Sequence, residues 1–338
     1  MAPTSFRGNR GHRRAGLATL AHAVSAPPEL PDPAPSLEDR SMNEQARTES
    51  GIESKLSEIS ERLSRLETLS RGGRSTYLGG GRLLVRCDLD AVRTMYIVDA
   101  EDRLIMPNLV ADGLYEPLVT KFICNSIRED YHCLDIGANF GYYSCLMAKL
   151  AWHGRVMAIE ADPKTWSILR DNTYINWCER VVLLENVAIT DKVGQATLYR
   201  REKRAGNTSM TPPHPEVLIK SGEPPAEEFT IECAPIDSLL DKMSGRVDLV
   251  KIDIEGAEPL AFRGVSETVR LNPRVRFVVE WSPSQIMDAG FNVQEFVHSI
   301  DDLGLRPWIL EVNKNTPVSF DELITIPYQS GVLLSTEV

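Results

Sequence analysis

The chain has 338 residues, 42% of them apolar, enough for a real core in one large domain or one domain with appendages. Its formal net charge of −11 opposes the phosphate attraction on which nucleic-acid binding rests, so no nucleic-acid partner is expected. No apolar run approaches the roughly 18 uncharged residues that a membrane-spanning helix needs. The six cysteines are scattered without a CxxC pair and read as reduced core thiols of a cytoplasmic protein.

Residues 1 to 50 are rich in Pro, Arg, Ala and Ser and include "PPELPDPAP"; they bury too little apolar surface to fold alone and read as a disordered tail. Over 51–70, Ile52, Leu56, Ile59, Leu63 and Leu66 alternate four- and three-residue steps, the spacing of a short coiled-coil seam. Two readings fit it: a seam for a homo-oligomer through 52–66, or one amphipathic helix docking on its own domain. "RGGRSTYLGGG", residues 71–81, reads as a flexible linker. Over 82–130, "RLLVRC" and "RTMYIV" read as paired strands, and "YEPLVTKFICNSI" as a helix with Pro117 in its first turn, together a cap on the domain that comes after them.

From 131 to 338, apolar strand-like runs alternate with helix-length segments: "HCLDIG", "GRVMAIE", "RVVLLENVAI", "VDLVKIDI", "VRFVVEW" and "RPWILEV". Strands this apolar imply a mostly parallel sheet with helices on both faces, an α/β fold whose ligands sit beyond the strands' carboxyl ends. Asp135, Glu160, Asn186, Asp253 and Glu280 all fall at such ends.

The turn after the first of these strands runs Asp135-x-Gly137-x-Asn139-x-Gly141. A dinucleotide fingerprint would carry its second glycine where Asn139 stands and no preceding acid. An anion is a poor neighbour for a pyrophosphate and a good one for the ammonium and sulfonium of S-adenosylmethionine. Tyr142 and Tyr143, next in the chain, either offer a π face to the sulfonium or pack the first helix against the sheet. Glu160, at the end of the next strand, stands where the βαβ layout puts the acid that hydrogen-bonds ribose hydroxyls. "ENVAI" offers a backbone amide or the Asn186 side chain to an adenine; a plain polar turn fits equally well. Asp162 and Pro163 are accounted for as a helix N-cap and first-turn residue.

Lys251, Asp253, Glu255 and Glu258 fall within eight positions of "VDLVKIDIEGAEPLAF", and alternation places the first three on one face of an extended segment. An ion-pair lattice around Lys251, with Glu258 as a helix N-terminal charge, is the structural explanation; a catalytic cluster is the functional one.

At this point the chain resembles the FkbM-type S-adenosylmethionine-dependent methyltransferases, through "LDIGANFGYYS", "IEADP", "NVAITDKVGQATLY", "GNTSM", "VDLVKIDIEGAE" and "VVEWSP" in that order, over roughly residues 82 to 335. The resemblance implies a class I methyltransferase (Rossmann-like) fold, a mainly parallel seven-stranded sheet with one antiparallel strand, and O-methyl transfer to sugars, glycans or other small secondary-metabolite hydroxyls. Carried over by position, Asp135, Gly137, Asn139 and Gly141 would line the methionine moiety, Glu160 the ribose, and Asn186 to Ala188 the adenine edge. Asp253 would sit close to the transferred methyl. A hydroxyl acceptor must also lose a proton, and Asp253, Glu255 and Glu280 are the candidate bases, the first two ranked highest, with Glu258 nearby. A Mg²⁺ ion bridging carboxylates is a second way to acidify the hydroxyl. Two alternatives share parts of this layout: an NAD-dependent oxidoreductase, and a non-catalytic cofactor-binding module that recruits partners through its N-terminal helix. The segment "REKRAGNTSMTPPHPEVLIKSGEPPAEEF" reads as a mobile substrate loop in which Asn207, Thr208 and Ser209 would hydrogen-bond a sugar, or as a solvated hairpin.

The coiled-coil reading has a direct test. Deleting residues 1 to 70 should lower the solution mass seen by light scattering while cofactor affinity holds; an unchanged mass rejects the seam.

Overall fold

The structure is a computed structural model describing Lys55 and residues 73–89, 92–202, 205–312 and 314–336. The tail over 1–50 and the seam over 51–70 lie outside the described residues, apart from Lys55, which is helical. The chain divides into Met1–Arg65 and Leu66–Val338, and the sheets, with the helices packed on them, belong to the second unit.

β1 (Ser75–Gly79), β2 (Arg82–Leu89) and β3 (Val92–Asp99) form an antiparallel meander. The stretch 71–81 is therefore not simply a linker: Ser75, Thr76 and Tyr77 pair with Val85, Leu84 and Leu83. Its β-branched and aromatic side chains favour a strand, while the glycines make the turn into β2. Two helices come next, α1 (Met106–Asp112), which the sequence patterns do not signal, and α2 (Pro117–Ser126), which starts on Pro117 as expected.

The remaining strands are β4 (His132–Ile136), β5 (Arg155–Ile159), β6 (Val182–Glu185), β7 (Ala188–Ile189), β8 (Gly194–Arg200), β9 (Glu227–Ala234), β10 (Leu249–Ile252), β11 (Arg276–Trp281), β12 (Arg306–Leu310), β13 (Asn315–Pro317) and β14 (Gln329–Ser335). Between them lie α3 (Tyr142–Leu150), α4 (Pro163–Ile175), α5 (Pro215–Ser221), α6 (Glu258–Arg263), α7 (Ser266–Leu271), α8 (Pro283–Asp288), α9 (Val293–Asp302) and α10 (Phe320–Thr325).

The main sheet has eight strands in the order β13-β12-β14-β11-β10-β4-β5-β6. β11, β10, β4, β5 and β6 pair in parallel, and β14 runs against both β11 and β12. This is the expected seven-stranded, mostly parallel sheet with one antiparallel strand, extended by β13, a three-residue edge strand antiparallel to β12. The run "RVVLLENVAI" does not stay in it as one strand. It breaks after β6, and β7 joins a separate sheet of order β7-β9-β8, because Asn186 donates its side-chain amide to the carbonyls of Glu160 and Ala161 and turns the chain away.

Strand alternation supplies two apolar layers. Leu134, Ile136, Met157, Ile159, Val250, Ile252, Phe277 and Val279 face α6, α7 and α9, while Cys133, Val156, Ala158, Leu249 and Val278 face α2, α3, α4 and the cap. Trp281 is buried against Phe296, rings stacked at 5.9 Å, with its indole N–H donated to the Leu323 carbonyl. Burial of such a side chain contributes roughly 3 kcal/mol.

Register then places the chemistry. Ile136, Ile159, Ile252 and Val279 lie in one row across β4, β5, β10 and β11. The next row, at the carboxyl edge, is Gly137, Glu160, Asp253 and Glu280: one glycine and three acids.

α4 ties the cap to this sheet. Asp162 is its N-cap, accepting from the Lys164 amide at 2.9 Å, and Pro163 opens it, as expected. From its buried face, Asn172 accepts the Ile97 N–H at 2.7 Å and donates to the carbonyls of Ile97 and Phe140, and Asn176 serves Met95 in the same way. These amides stand in for a neighbouring strand along β3. Asn172→Ala should cost about 2–4 kcal/mol, since it strands one buried and two half-buried backbone groups; a denaturant titration showing a loss below about 1 kcal/mol would contradict this.

Candidate active site at the carboxyl edge of the sheet

The first turn of the main sheet and the turn after β10 touch. Gly137 has φ +74°, and a Cβ there would come within 1.8 Å of the Asp253 carbonyl oxygen, so no side chain fits between the two turns. The amides of Gly137 and Ala138 both donate to the Ile159 carbonyl, and the Asp253 amide donates to the Ile136 carbonyl. Around this contact lies a cavity walled by Gly137, Asn139, Glu160, Val187, Ala188, Asp253 and Glu255, with Gly206, Thr208 and Met210 on its outer side.

Glu160 accepts the Asn139 amide on Oε2 and the Asp162 amide on Oε1, both at 2.8 Å. Burial pushes its carboxyl up to about 7 against the pull of these hydrogen bonds. Each oxygen keeps a lone pair for a ligand hydroxyl.

The other residues singled out for the cofactor divide sharply. Val187 and Ala188 line the cavity, but Asn186 does not: its amide is spent on the loop after β5. Gly141 is the N-cap of α3 and packs against Leu169, where a Cβ would come to 2.5 Å of its Cδ1; it is a packing residue and not part of the lining. Asp135 is fully buried beneath the lining, accepts from Ser144 Oγ, and keeps Oδ1 without a partner. Burial raises its carboxyl while Lys251, opposite it in the β4–β10 register, pulls it down.

Lys251 donates to Asp253 Oδ2 at 2.9 Å and lies 5.2 Å over the Tyr143 ring. Burial pulls its ammonium down, yet Asp253, Asp135 and Glu116 together hold it well above the usual lysine range. Of the two readings of Tyr142 and Tyr143, helix packing holds: both are buried, and the cation over the Tyr143 ring is Lys251.

Glu255 leaves the extended path expected for it, with φ +56°, and its Oε2 accepts from both Asn207 Nδ2 at 3.0 Å and Gln285 Nε2 at 2.5 Å. Glu280 lines no part of the cavity; Tyr328 donates to its Oε1 at 3.0 Å, and Oε2 is buried without a partner. Carboxylate oxygens of Asp253, Glu255 and Glu280 nevertheless lie within 4.8 Å of one another. Burial first, then the Asp253 charge, drives the carboxyls of Glu255 and Glu280 upward. Glu258 takes the role of a turn cap, accepting the Ile254 amide at 3.0 Å from the first turn of α6, and burial lifts it to about 7.

One group was missed by sequence reasoning. Glu116 precedes α2 with φ +42°, accepts the Tyr143 hydroxyl at 2.8 Å, and is raised by burial while Lys251 counteracts. No motif or spacing announces it, because the strand-end rule looks only at the main sheet and Glu116 comes from the cap.

A mostly parallel sheet covered on both faces, with acids in a row at its carboxyl edge, is the class I methyltransferase architecture. Residues 135–325 match the Methyltransferase FkbM domain, more than half of the chain, and the chain belongs to this family. It is an S-adenosylmethionine-dependent methyltransferase, and the oxidoreductase and non-catalytic alternatives are set aside. Methyltransferase sdnD of Sordaria araneosa is 26% identical over 233 residues, which cover 55% of this chain and 90% of that protein. Methyltransferase 1 of Beauveria bassiana is 24% identical over 152 residues, 41% of this chain and 60% of that one. Among solved structures, the FkbM methyltransferase of Methylobacillus flagellatus KT is 14% identical with a TM-score of 0.37, covering 67% of this chain; the chain spans 46% of that structure's length.

The raised carboxyls make a pH prediction. A carboxyl whose folded pKa lies above its ordinary 4.5 binds more protons folded than unfolded, so stability present below that value is lost as pH rises through about 7 for Glu160 and Glu258. The thermal midpoint of the ligand-free protein should fall between about pH 5 and about pH 8, and Glu280→Gln should flatten the fall. A midpoint that rises over that window would refute the assignment.

Proposed function

We propose that the enzyme transfers the methyl group to a hydroxyl oxygen of a sugar, glycan or other small metabolite. The observation that carries this reading is the cavity's charge: Glu160, Asp253 and Glu255 line it, and among its described lining residues there is no Lys or Arg. A pyrophosphate would meet acids and no cation there, whereas S-adenosylmethionine carries no phosphate and two positive centres, so the donor set fits it. The reading gives Glu160 the ribose hydroxyls, the apolar Ile159, Val187, Ala188 and Leu198 the adenine, and the turn of Gly137 and Asn139, braced from below by Asp135, the methionine end. When bound, the cofactor supplies an electrophilic methyl, whose bond to sulfur breaks with its electron pair left on a thioether as the new C–O bond forms.

The chain's own work is to hold the acceptor oxygen in line and to take its proton. Asp253 and Glu255 line the cavity, and Glu280 stands behind them. Mg²⁺ is left out of this reading because Lys251 already neutralises Asp253 at 2.9 Å. The cytoplasmic assignment is retained in keeping with six free cysteines, and among the described residues no helix is long and apolar enough to cross a membrane.

Calorimetry provides the test. Glu160→Ala should weaken S-adenosylmethionine binding at least about tenfold, the scale of hydrogen bonds to a charged group; unaltered affinity would remove Glu160 from the site. Mass spectrometry of glycans and metabolites incubated with isotope-labelled cofactor should show a methyl mass gain. Intact cofactor binding with no gain across a broad panel of hydroxyl acceptors would reject the acceptor class.

A further inference from the structure

A second groove, of about 440 Å³, abuts the cofactor cavity and shares Glu255 with it. That volume falls in the usual range for small-molecule sites. The partition between the two is one residue thick. Along the segment that begins at the 3₁₀ turn Ala205–Asn207, Gly206, Thr208 and Met210 line the cofactor cavity, whereas Asn207, Ser209 and Thr211 line the groove. Ser209 is held extended by its bridge to Tyr199, and adjacent residues of an extended chain, such as Thr208 and Ser209, point to opposite sides.

We infer that this groove is the acceptor subsite, that it takes a neutral polyhydroxylated acceptor, and that Glu255 is the base that receives the acceptor's proton. The inference rests on the O-methyltransferase reading of the adjoining cavity. The floor of the groove carries two amides, Asn207 and Gln285, whose NH₂ groups both donate to Glu255; the carboxylate therefore fixes their orientation. Their carbonyl oxygens, Asn207 Oδ1 and Gln285 Oε1, are buried and have no partner. A buried acceptor left unmet costs free energy that a donor-bearing ligand recovers. Two such oxygens flanking a carboxylate call for a ligand rich in hydroxyls.

The charge of the described lining disfavours the anionic members of that class. Arg201 is the one Arg or Lys among the groove's described lining residues, and both its Nε and Nη2 are engaged by Glu223 at 2.9 and 2.8 Å, while Asp288 adds a further acid to the wall. Among the described lining residues, a phosphorylated or carboxylated acceptor would find no unengaged Arg or Lys side chain, only the His214 imidazole. Pro212, Pro213 and Val217 give the groove an apolar flank suited to the C–H face of a sugar ring.

Glu255 is singled out among the acids by position. Asp253 is engaged by Lys251, and Glu280 lines neither cavity; Glu255 faces both. Its backbone, in the left-handed region with φ +56°, is a conformation that a non-glycine residue holds at a cost. As the acceptor oxygen gains the methyl carbon, its O–H proton passes to a Glu255 carboxylate oxygen and from there to water.

Saturation-transfer NMR tests the binding half on protein loaded with S-adenosylhomocysteine. The probes are methyl α-glucopyranoside, methyl α-rhamnopyranoside, myo-inositol and glucose 6-phosphate. At least one neutral polyol should bind, glucose 6-phosphate should not, and Val217→Trp and Gln285→Ala should each weaken the bound polyol at least tenfold. Val217→Trp should leave cofactor affinity, read by calorimetry, unchanged. Binding of glucose 6-phosphate as well as the neutral probes, no binding of any neutral probe, or indifference to both substitutions would overturn the subsite. Failure of the wild-type protein to bind S-adenosylmethionine would instead sink the underlying reading. With an acceptor in hand, Glu255→Gln should keep polyol and cofactor binding while transfer falls at least about a hundredfold; undiminished transfer would overturn the base assignment.

Discussion

Lys251 is 4% exposed on β10, 2.9 Å from Asp253, opposite Asp135 on β4 and over the ring of Tyr143. A buried ammonium is tolerated only with its charge met, and removing one partner of such a pair is far costlier than the pair itself is stabilising. Here the imbalance runs the other way. Asp135, Asp253 and Glu116 all act on one cation, and burial drives the remaining carboxyls of Glu255 and Glu280 upward. The carboxyl edge therefore holds more carboxyls than the protein supplies cations for, and a positive charge placed beside them would favour their ionised form.

That electrostatic constraint fixes backbone as well as side chains. The turn after β10 must bring Asp253 back to Lys251 while its carbonyl lies against Gly137, and Glu258 caps the turn by accepting the Ile254 amide. The glycine turn after β4 and the acidic turn after β10 are thus one packed unit, held by contacts that tolerate no added methyl at Gly137. On the far side, the ion pair of Arg200 with Asp162 anchors the loop after Glu160, with Arg200 lying over Phe229. The second sheet, through β8, is in this way keyed to the position of Glu160.

The alternation of strands with helices and the strand ends were legible in the sequence because apolar runs of four to six residues alternate with helix-length segments, and the carboxyl-edge row of Gly137, Glu160, Asp253 and Glu280 comes from those ends; the order of the strands in the sheet was not. Nor was side-chain direction. Asn186 sits at the right strand end, but its amide is donated to two carbonyls of the loop after β5 and the residue does not line the cavity. Asp135 heads the glycine turn, yet its place inside β4 points it into the sheet's packing, next to Lys251. Gly141 belongs to the same motif as Gly137 and serves Leu169 instead. Glu116 was invisible because its proximity to Tyr143 and Lys251 arises from the docking of the cap, a long-range fact with no local period.

The two halves of the site have different origins in the chain. The cofactor side is written in strand register: once β4, β5 and β10 are aligned, the acids and the glycine turn fall into place. The acceptor side depends on the long connection between β8 and β9, residues 201–226, which reads as a charged, proline-rich interruption. It joins two antiparallel strands, and it carries α5 and residues that line both cavities. Ser209 lines the groove and not the first cavity, so a change there alters the groove alone, whereas a change at Asn207 reaches both through Glu255. Acceptor choice can thus drift along that one segment while Glu160, Gly137 and the Lys251 cluster stay fixed. The same segment holds Glu255 through Asn207, so under the proposed reading the groove that would select the hydroxyl also orients the carboxylate proposed to take its proton.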